Sequence, residues 1–394
     1  MVIEMQQKIV YVDNNATTQV DPEVFEEMKP FLTEYYGNPS SIYRFGGQVA
    51  KNIEKAREQV ADLLGAEPCE IMFTSCGTES DSAAVLSALK VCTKRNKIVI
   101  SKVEHPAILN LAKELRDKGY KIAEVPVDNH GRINMARLTE MIDTETALVS
   151  VMWANNEIGN IYPVEEIAKI AHDNGALFHT DAVQTVGKIP INLKTSKIDM
   201  LSLSGHKLHA PKGVGVLYIR KNVRFKPFLI GGHQESGRRA GTENVASIVA
   251  LGKACEVAGK YMEYENREVK ELRDYLEKRI LESIPKTRVN GDIHSRVPNT
   301  TNIGFDMIEG ESILLLLDRA GIAASSGSAC TTGSLEPSHV LRAMGIPYTS
   351  AHGSVRFSLS RYNTKDEMDH IVKTLIPAIA RLREISPYWN NEEK

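Results

Sequence analysis

DMLSLSGHKLHAPKG (199–213) reads as a short apolar strand ending in Ser204-Gly205-His206-Lys207. A lysine at such a strand end sits over the carboxyl edge of the sheet, where open α/β sheets bind ligands. Partial desolvation there makes its amine a nucleophile suited to imine formation. The flanking Ser204 and His206 are able to donate to a phosphate. Taken alone, a strand-end lysine is ordinarily a solvated surface charge, so the motif has to be weighed with its neighbours.

Outward from this strand, short β-branched runs alternate with amphipathic helical stretches from about residue 50 to 220, the pattern of βαβ units around a mostly parallel sheet. The spacing predicts strands at 70–74, 97–101, 146–152, 176–180, 198–203 and 214–219. Helices are predicted near Gly47 to Leu64, with Val49, Ile53, Val60 and Leu63 on one face, and from Pro163 to Gly175. A long helical pattern near 254–282 reads as a connector, followed by strands near 299–305 and 354–360 and a final helix. Thr364 and Glu367 fit a capping box for that helix, and Pro377 is expected to kink it. The fold class is therefore α/β, a large domain with a mostly parallel central sheet plus a smaller α/β C-terminal domain. The stretch GGHQESGRRAGTEN (231–244) suits an exposed loop with a task at an interface or a phosphate.

At 394 residues the chain exceeds the size at which one core stops growing. Lys+Arg 48 against Asp+Glu 50 leaves a net charge of −2 with no block of like charges, which argues against nucleic acid or an anionic membrane as partner. Small molecules are the better fit. The opening MVIEMQQKIV lacks the apolar run of a secretory signal, and Leu314 to Leu317 is far too short to span a bilayer, so a cytoplasmic protein is expected. Cys69, Cys76, Cys92, Cys255 and Cys330 form an odd set without a CxxC pair, which suggests neither a disulfide framework nor a zinc knuckle. Any special cysteine acts alone. His179, His206 and His209 show no ligand spacing for zinc, so no catalytic metal is expected.

Several other strand ends carry polar groups toward the same edge. Asp181 closes ALFHTD (176–181), and a buried carboxylate there calls for a cation such as a protonated pyridinium nitrogen. The alternative is a helix N-cap. Gln184 follows within reach of a phenolic oxygen on such a ring. FTSCGTES (73–80) is a strand, a small-residue loop and a helix beginning near Glu79, whose free NH groups would cradle a phosphate or serve as an ordinary cap. It is not a Walker loop, and Gly213 with Gly215 lacks the third glycine of a dinucleotide fingerprint. His105 in SKVEHPA (101–107) is placed to stack on a cofactor ring and shuttle protons, or is a satisfied loop residue. Asn156 in MWANNEIG (152–159) is either a ligand for a ring oxygen or substrate carboxylate, or a turn asparagine.

Near the C-terminus, AASSGSACTTGSLEPS (323–338) reads as a mobile loop with Cys330 in its middle. A free cysteine on a polar loop is unusual and offers an accessible thiolate nucleophile; the alternative is an incidental exposed thiol. Val355, Phe357 and Leu359 alternate with Arg356 and Ser358, so Arg356 either clamps a carboxylate bidentately or is a surface arginine.

Together YGNPSS, FTSCGTESD, EHPA, VMWANNEIG, HTDAVQ, SGHK, AGTEN, SGSAC and RFSLSR resemble, in order and spacing, the cysteine desulfurases, pyridoxal 5'-phosphate (PLP) enzymes of the fold-type I aminotransferase superfamily. The resemblance runs from YVDNNATT (11–18) to the final helix. It implies a large PLP-binding domain at 15–260, and a small domain made of 1–14 and 261–394 that carries the catalytic cysteine loop (about 323–338). It further implies that Lys207 is the Schiff-base lysine, that Asp181 holds the pyridine nitrogen and Gln184 the phenolic oxygen, and that His105 stacks on the ring beside Asn156. Gly77, Thr78, Ser204 and His206 would bind the phosphate, joined across a homodimer interface by Thr242 of the neighbouring subunit. Arg356 would bind the carboxylate of L-cysteine, and Cys330 would take the sulfur as a persulfide for a sulfur-acceptor or iron-sulfur scaffold protein. The long SSGSAC to SLEPS loop resembles the iron-sulfur assembly branch, and SGHKLHAPKGVGVLY (204–218) resembles its nitrogen-fixation members. Ile230 and Ser236 stand where relatives in this family often have arginine. The nearest alternatives are a selenocysteine lyase or an aminotransferase of the same superfamily, the latter with no need of Cys330.

Overall fold

The computed structural model describes residues 9–326 and 337–389. Cys330 lies outside the described residues. Among the described residues twelve strands form three sheets. β1 (Val10–Tyr11) pairs in parallel with β11 (Ile322–Ala323). β9 (Thr287–Asn290), β10 (Thr300–Phe305) and β12 (Ser354–Ser358) make an antiparallel sheet with β10 central. The large sheet is built from β2 (Ile71–Thr74), β3 (Lys97–Ser101), β4 (Lys121–Val125), β5 (Thr146–Ser150), β6 (Leu177–Asp181), β7 (Met200–Ser204) and β8 (Gly215–Ile219). Its order is β2-β8-β7-β6-β5-β3-β4, and only β8 runs against its neighbours. The mostly parallel α/β sheet expected from the periodicity is thus the sheet observed.

Helices on both faces explain why the inner strands are nearly continuous apolar runs rather than alternating ones. The helix Gly77–Val91 and the helix Pro106–Asp117 cover one face through Ala84, Ala88, Ile108 and Leu115. Arg44–Leu64, Val164–Asp173 and Val245–Tyr264 belong to the other core, which includes Ile53, Val60, Ile167 and Leu251. A separate core lies under the C-terminal sheet, where Leu276, Ile303, Phe357, Ile371 and Leu375 are buried together. Val340, Leu341, Met344 and Ala351, although late in the chain, pack into the core beside the large sheet. Among the described residues no helix is long and apolar enough to cross a membrane.

Close approach fixes one residue type at the working edge of the sheet. Gly215 is wedged between β2 and β7, and an added Cβ would meet the carbonyl carbon of Cys76 at 2.8 Å and the Leu203 oxygen at 2.9 Å. Thr364 and Glu367 form the expected capping box, and Pro377 lies inside the helix Lys365–Ile385.

Three local expectations are corrected. The helix after the phosphate loop begins at Gly77 rather than near Glu79. The helix expected near 254–282 begins earlier, at Val245, and runs to Ser283 with a π turn at Glu265–Val269 inside it. The reason is tertiary. Asn266 Nδ2 donates to the carbonyl oxygens of Lys188 and Met262 at 2.8 and 2.9 Å, and Glu265 accepts from Arg361 at 3.0 Å, which together pull the turn open. The stretch 231–244 is not wholly exposed: Glu235 is buried, and both its oxygens accept from Arg57 at 2.8 Å while one also accepts the Phe73 NH at 2.9 Å.

Removing one member of this buried pair strands the other. Arg57→Ala is expected to lower the free energy of unfolding by about 3–5 kcal/mol, whereas an apolar replacement of both partners costs less, chiefly the acceptor of the Phe73 NH. Denaturant unfolding of the Arg57→Ala single variant and the Arg57→Leu/Glu235→Leu double variant checks this.

Candidate active site

The carboxyl ends of β2, β3, β5, β6 and β7 face one edge, and the loops after them line a cavity of about 450 Å³. Its wall includes Gly77, Thr78, His105, Asn156, Asp181, Gln184, Ser204, His206, Lys207 and Arg356. Every described residue singled out for the site is therefore in one place except Thr242, which is exposed and does not line the cavity of its own chain.

Lys207 lies in the short 3-10 turn Gly205–Lys207 that follows β7 directly. Its Nζ donates to the carbonyl oxygens of Asn15 at 2.5 Å and Ala16 at 2.6 Å. The alternative of a solvated surface lysine is thereby overturned. Asp181, the last residue of β6, is 5 % exposed, and burial raises its pKa while His105 and Lys207 oppose that shift. One carboxylate oxygen accepts the Val183 NH at 2.9 Å, so the N-cap alternative survives only as a local turn.

His105 caps the helix Pro106–Asp117: its Nδ1 accepts the Ala107 NH at 3.2 Å, which leaves the proton on Nε2. Burial lowers its pKa, with the charge of Lys207 adding to the effect and that of Asp181 opposing it. His206, its Nδ1 3.1 Å from Thr17 Oγ1, is pushed down to about 4 by burial and then by the charge of Lys207. Both imidazoles are neutral near pH 7.

At the far end of the cavity, Cys76 occupies the N-cap of Gly77–Val91 without a side-chain cap bond. The first-turn amides and the helix dipole thus face the cavity, the arrangement that holds an anion. Gly77 fits because an added Cβ would lie 2.9 Å from Val183 Cγ2. Arg356 is 2 % exposed, not a surface residue. Its Nη1 donates to the Asn156 carbonyl at 2.8 Å and its Nη2 to Asp13 at 2.6 Å, while Nε has no partner among the described residues.

Other residues at this edge were not singled out from the sequence. Asn15 bonds Lys207 and Gln184, and Glu157 accepts from Ser338. Glu104 is pushed up to about 8 by burial, and its carbonyl meets His339 Nε2 at 2.9 Å. Asp81 is held well above the usual carboxylate range by burial and then by the charge of Asp181. A carboxylate one turn into a small-residue helix, as in GTESDSAAV (77–85), is the signal that would have found Asp81. His179 forms a buried ladder with Ser150 and Ser202, each at 2.9 Å, and no metal-ligating group of three or more side chains occurs among the described residues.

An uncapped helix N-terminus, a buried carboxylate beside a neutral imidazole, and a lysine held over the sheet edge are groups whose chemistry suits pyridoxal phosphate. Residues 10–371 match the family described as aminotransferase class-V, and the chain belongs to that PLP-dependent family. Among its relatives, the cysteine desulfurase NifS of Azotobacter vinelandii is 59% identical over 382 residues, 97% of this chain and 95% of that protein. A cysteine desulfurase of Trichormus azollae is 57% identical over 98% of this chain and 96% of its own. Of solved structures, a NifS-like protein superposes with a TM-score of 0.89 at 39% identity, over 95% of this chain and 100% of that one. SspA in complex with cysteine superposes with a TM-score of 0.80 at 33% identity, over 90% and 100% of the two chains.

The buried imidazoles give the fold an acid limit. His179 is pushed down to about 3 and His209 to about 4, each from 6.5 and each chiefly by burial. Between those values the unfolded chain holds the extra protons, so stability is full above pH 6.5 and falls as the pH drops. At pH 5 each is expected to have cost about 2 kcal/mol. Thermal melts from pH 7.5 to 5, with His209→Asn showing a shallower decline, check the expectation.

Proposed function

We propose that this chain is a PLP-dependent cysteine desulfurase, converting L-cysteine to L-alanine and passing the sulfur to Cys330 as a persulfide. The observation that carries the reading is the convergence of Lys207, Asp181, His105 and the uncapped start of the helix Gly77–Val91 on one cavity, in a chain whose relatives bear that name.

In this reading the Gly77 and Thr78 amides, with Ser204 and His206, would hold the phosphate, and Thr242 of a second copy would complete it in a homodimer. Asp181 would hold the ring nitrogen, and Gln184 would donate to the phenolic oxygen. PLP supplies, when bound, an electron sink for negative charge at the substrate Cα. The Lys207 amine, displaced by the substrate, takes the proton from Cα and returns one there. His105, with its proton on Nε2, would cover the ring and exchange protons with the substrate. Arg356, fixed by Asp13 and Asn156, meets the substrate carboxylate. The transfer balances without an outside oxidant: the substrate C–S bond breaks, an S–S bond forms on the Cys330 sulfur, and the carbon skeleton leaves as alanine with the thiol proton. A reductant then frees sulfide, or an acceptor protein takes the sulfur.

The acceptor in this reading is an iron-sulfur scaffold or another sulfur carrier in the cytoplasm, with nitrogenase maturation as one destination. In this reading the chain divides into a large unit, 15–260, which would hold the cofactor, and a smaller one, 1–14 with 261–394, of which Val340, Leu341, Met344 and Ala351 nonetheless pack into the core beside the large sheet.

Cysteine turned over by the holoenzyme under reducing conditions is expected to yield alanine and sulfide in equal amounts, and Lys207→Ala to yield neither. Cys330→Ala is expected to keep the cofactor's visible absorbance and lose sulfide release; sulfide release at the unchanged rate would remove Cys330 from the reaction.

A further inference from the structure

Lys188 has no part in the chemistry above, yet it is buried within hydrogen-bond reach of it. Three residues past the turn that holds Gln184 and Thr185, its Nζ donates to Gln184 Oε1 at 2.6 Å and to Asn15 Oδ1 at 3.3 Å. We propose that Lys188 is a positioning residue that fixes the side-chain amide of Gln184 so that its NH₂ group faces the phenolic oxygen of the bound cofactor. The inference rests on the site reading given above.

In its protonated form the Lys188 amine only donates, so the group Gln184 turns toward it is the carbonyl oxygen. The amide nitrogen is then on the other side, where one of its hydrogens is taken by the Asn15 carbonyl at 2.9 Å. The second hydrogen remains for the cavity that Gln184 lines. Asn15 is held by the same logic: its Nδ2 donates to the Asn156 carbonyl at 3.1 Å and to Thr300 Oγ1 at 2.9 Å, leaving Oδ1 for Lys188 and for Asn299 Nδ2 at 3.1 Å. An inverted Gln184 amide would set an acceptor oxygen against the phenolic oxygen and a donor against the ammonium. Both contacts are repulsive in a dry site.

The protonated form is also disfavoured where it stands. Lys188 is 7 % exposed, with Lys207 and Arg356 as like charges nearby and Glu265 as the opposing one, and Glu265 is itself engaged by Arg361 at 3.0 Å. Burial first, then the charge of Lys207, brings its pKa down to about 7. A methionine would fill the same space more cheaply. The orientation of Gln184 accounts for a lysine at this position, because no apolar side chain can impose it.

The test is a double-mutant cycle on the holoenzyme, read by the rate of cofactor release and by the pH midpoint of the cofactor's visible absorbance. Gln184→Ala and Lys188→Met are each expected to speed release about tenfold, the worth of one hydrogen bond to a charged group, and to move the midpoint upward. Lys188→Gln retains a donor for Gln184 Oε1 and is expected to release cofactor within about twofold of the parent. In the Gln184→Ala background, Lys188→Met is expected to add nothing further. Additive effects, a Lys188→Met protein identical to the parent, or a Lys188→Gln protein as defective as Lys188→Met would each overturn the proposal. If Gln184→Ala alone leaves both readouts unchanged, the role of Gln184 falls and the proposal with it; if it alters them and Lys188→Met does not, only the proposal falls. Thermal melting of the cofactor-free proteins is expected to place Lys188→Met at or above the parent, and Lys188→Leu completes the cycle if the methionine variant does not fold.

Discussion

The carbonyl oxygen of Asn15 is the fixed point of this molecule. It accepts from Lys207 Nζ and from Gln184 Nε2, so the backbone of the N-terminal segment helps set where two groups of the site stand. The segment reaches that position because it is tied along its length to the C-terminal part of the chain. Val10 and Tyr11 pair with Ile322 and Ala323, Asp13 holds Arg356, and Asn14 donates to the Ser358 carbonyl. Thr18 then closes onto the carbonyl of His206, next to the lysine itself. A segment of some ten residues thus joins the large sheet to the small one through the floor of the cavity. Displacing it would loosen the lysine and the arginine together.

Burial does the electrostatic work at this edge. Three carboxyl groups, Asp81, Glu104 and Asp181, are all pushed upward chiefly by desolvation, while His105 and His206 are pushed downward by the same cause. Desolvation thus works against charge on each of these side chains, and their neighbours' charges adjust it. Neutral imidazoles also suit a task in which protons are handed over rather than held.

Much of the architecture was legible because its causes are local. Apolar runs of strand length, each followed by a helical period, predict the parallel sheet, and the sheet's carboxyl edge predicts where function gathers. The segment KIAEV (121–125) escaped this reading because it is the edge strand β4, partly exposed and carrying Lys121 and Glu124, so it lacks the apolar run of its neighbours. The break at 265–269 escaped for a different reason: the residues are helix formers, and only their bonds to Lys188 and Arg361, about 80 to 100 positions away, open the turn.

The sequence by itself determined which residue types end each strand, and therefore that Lys207, Asp181 and His105 share one edge, since strand period and βα connection leave no other placement. It also determined, through segments in matching order, the family to which the chain belongs. Only the tertiary structure decided what those residues touch. That Arg356 is buried against Asp13, that Glu235 is paired with Arg57, and that Lys188 stands behind Gln184 depend on partners brought together across loops. A side chain's period says which face it takes, but the group waiting there belongs to another part of the chain, and its identity is settled only when the cores close.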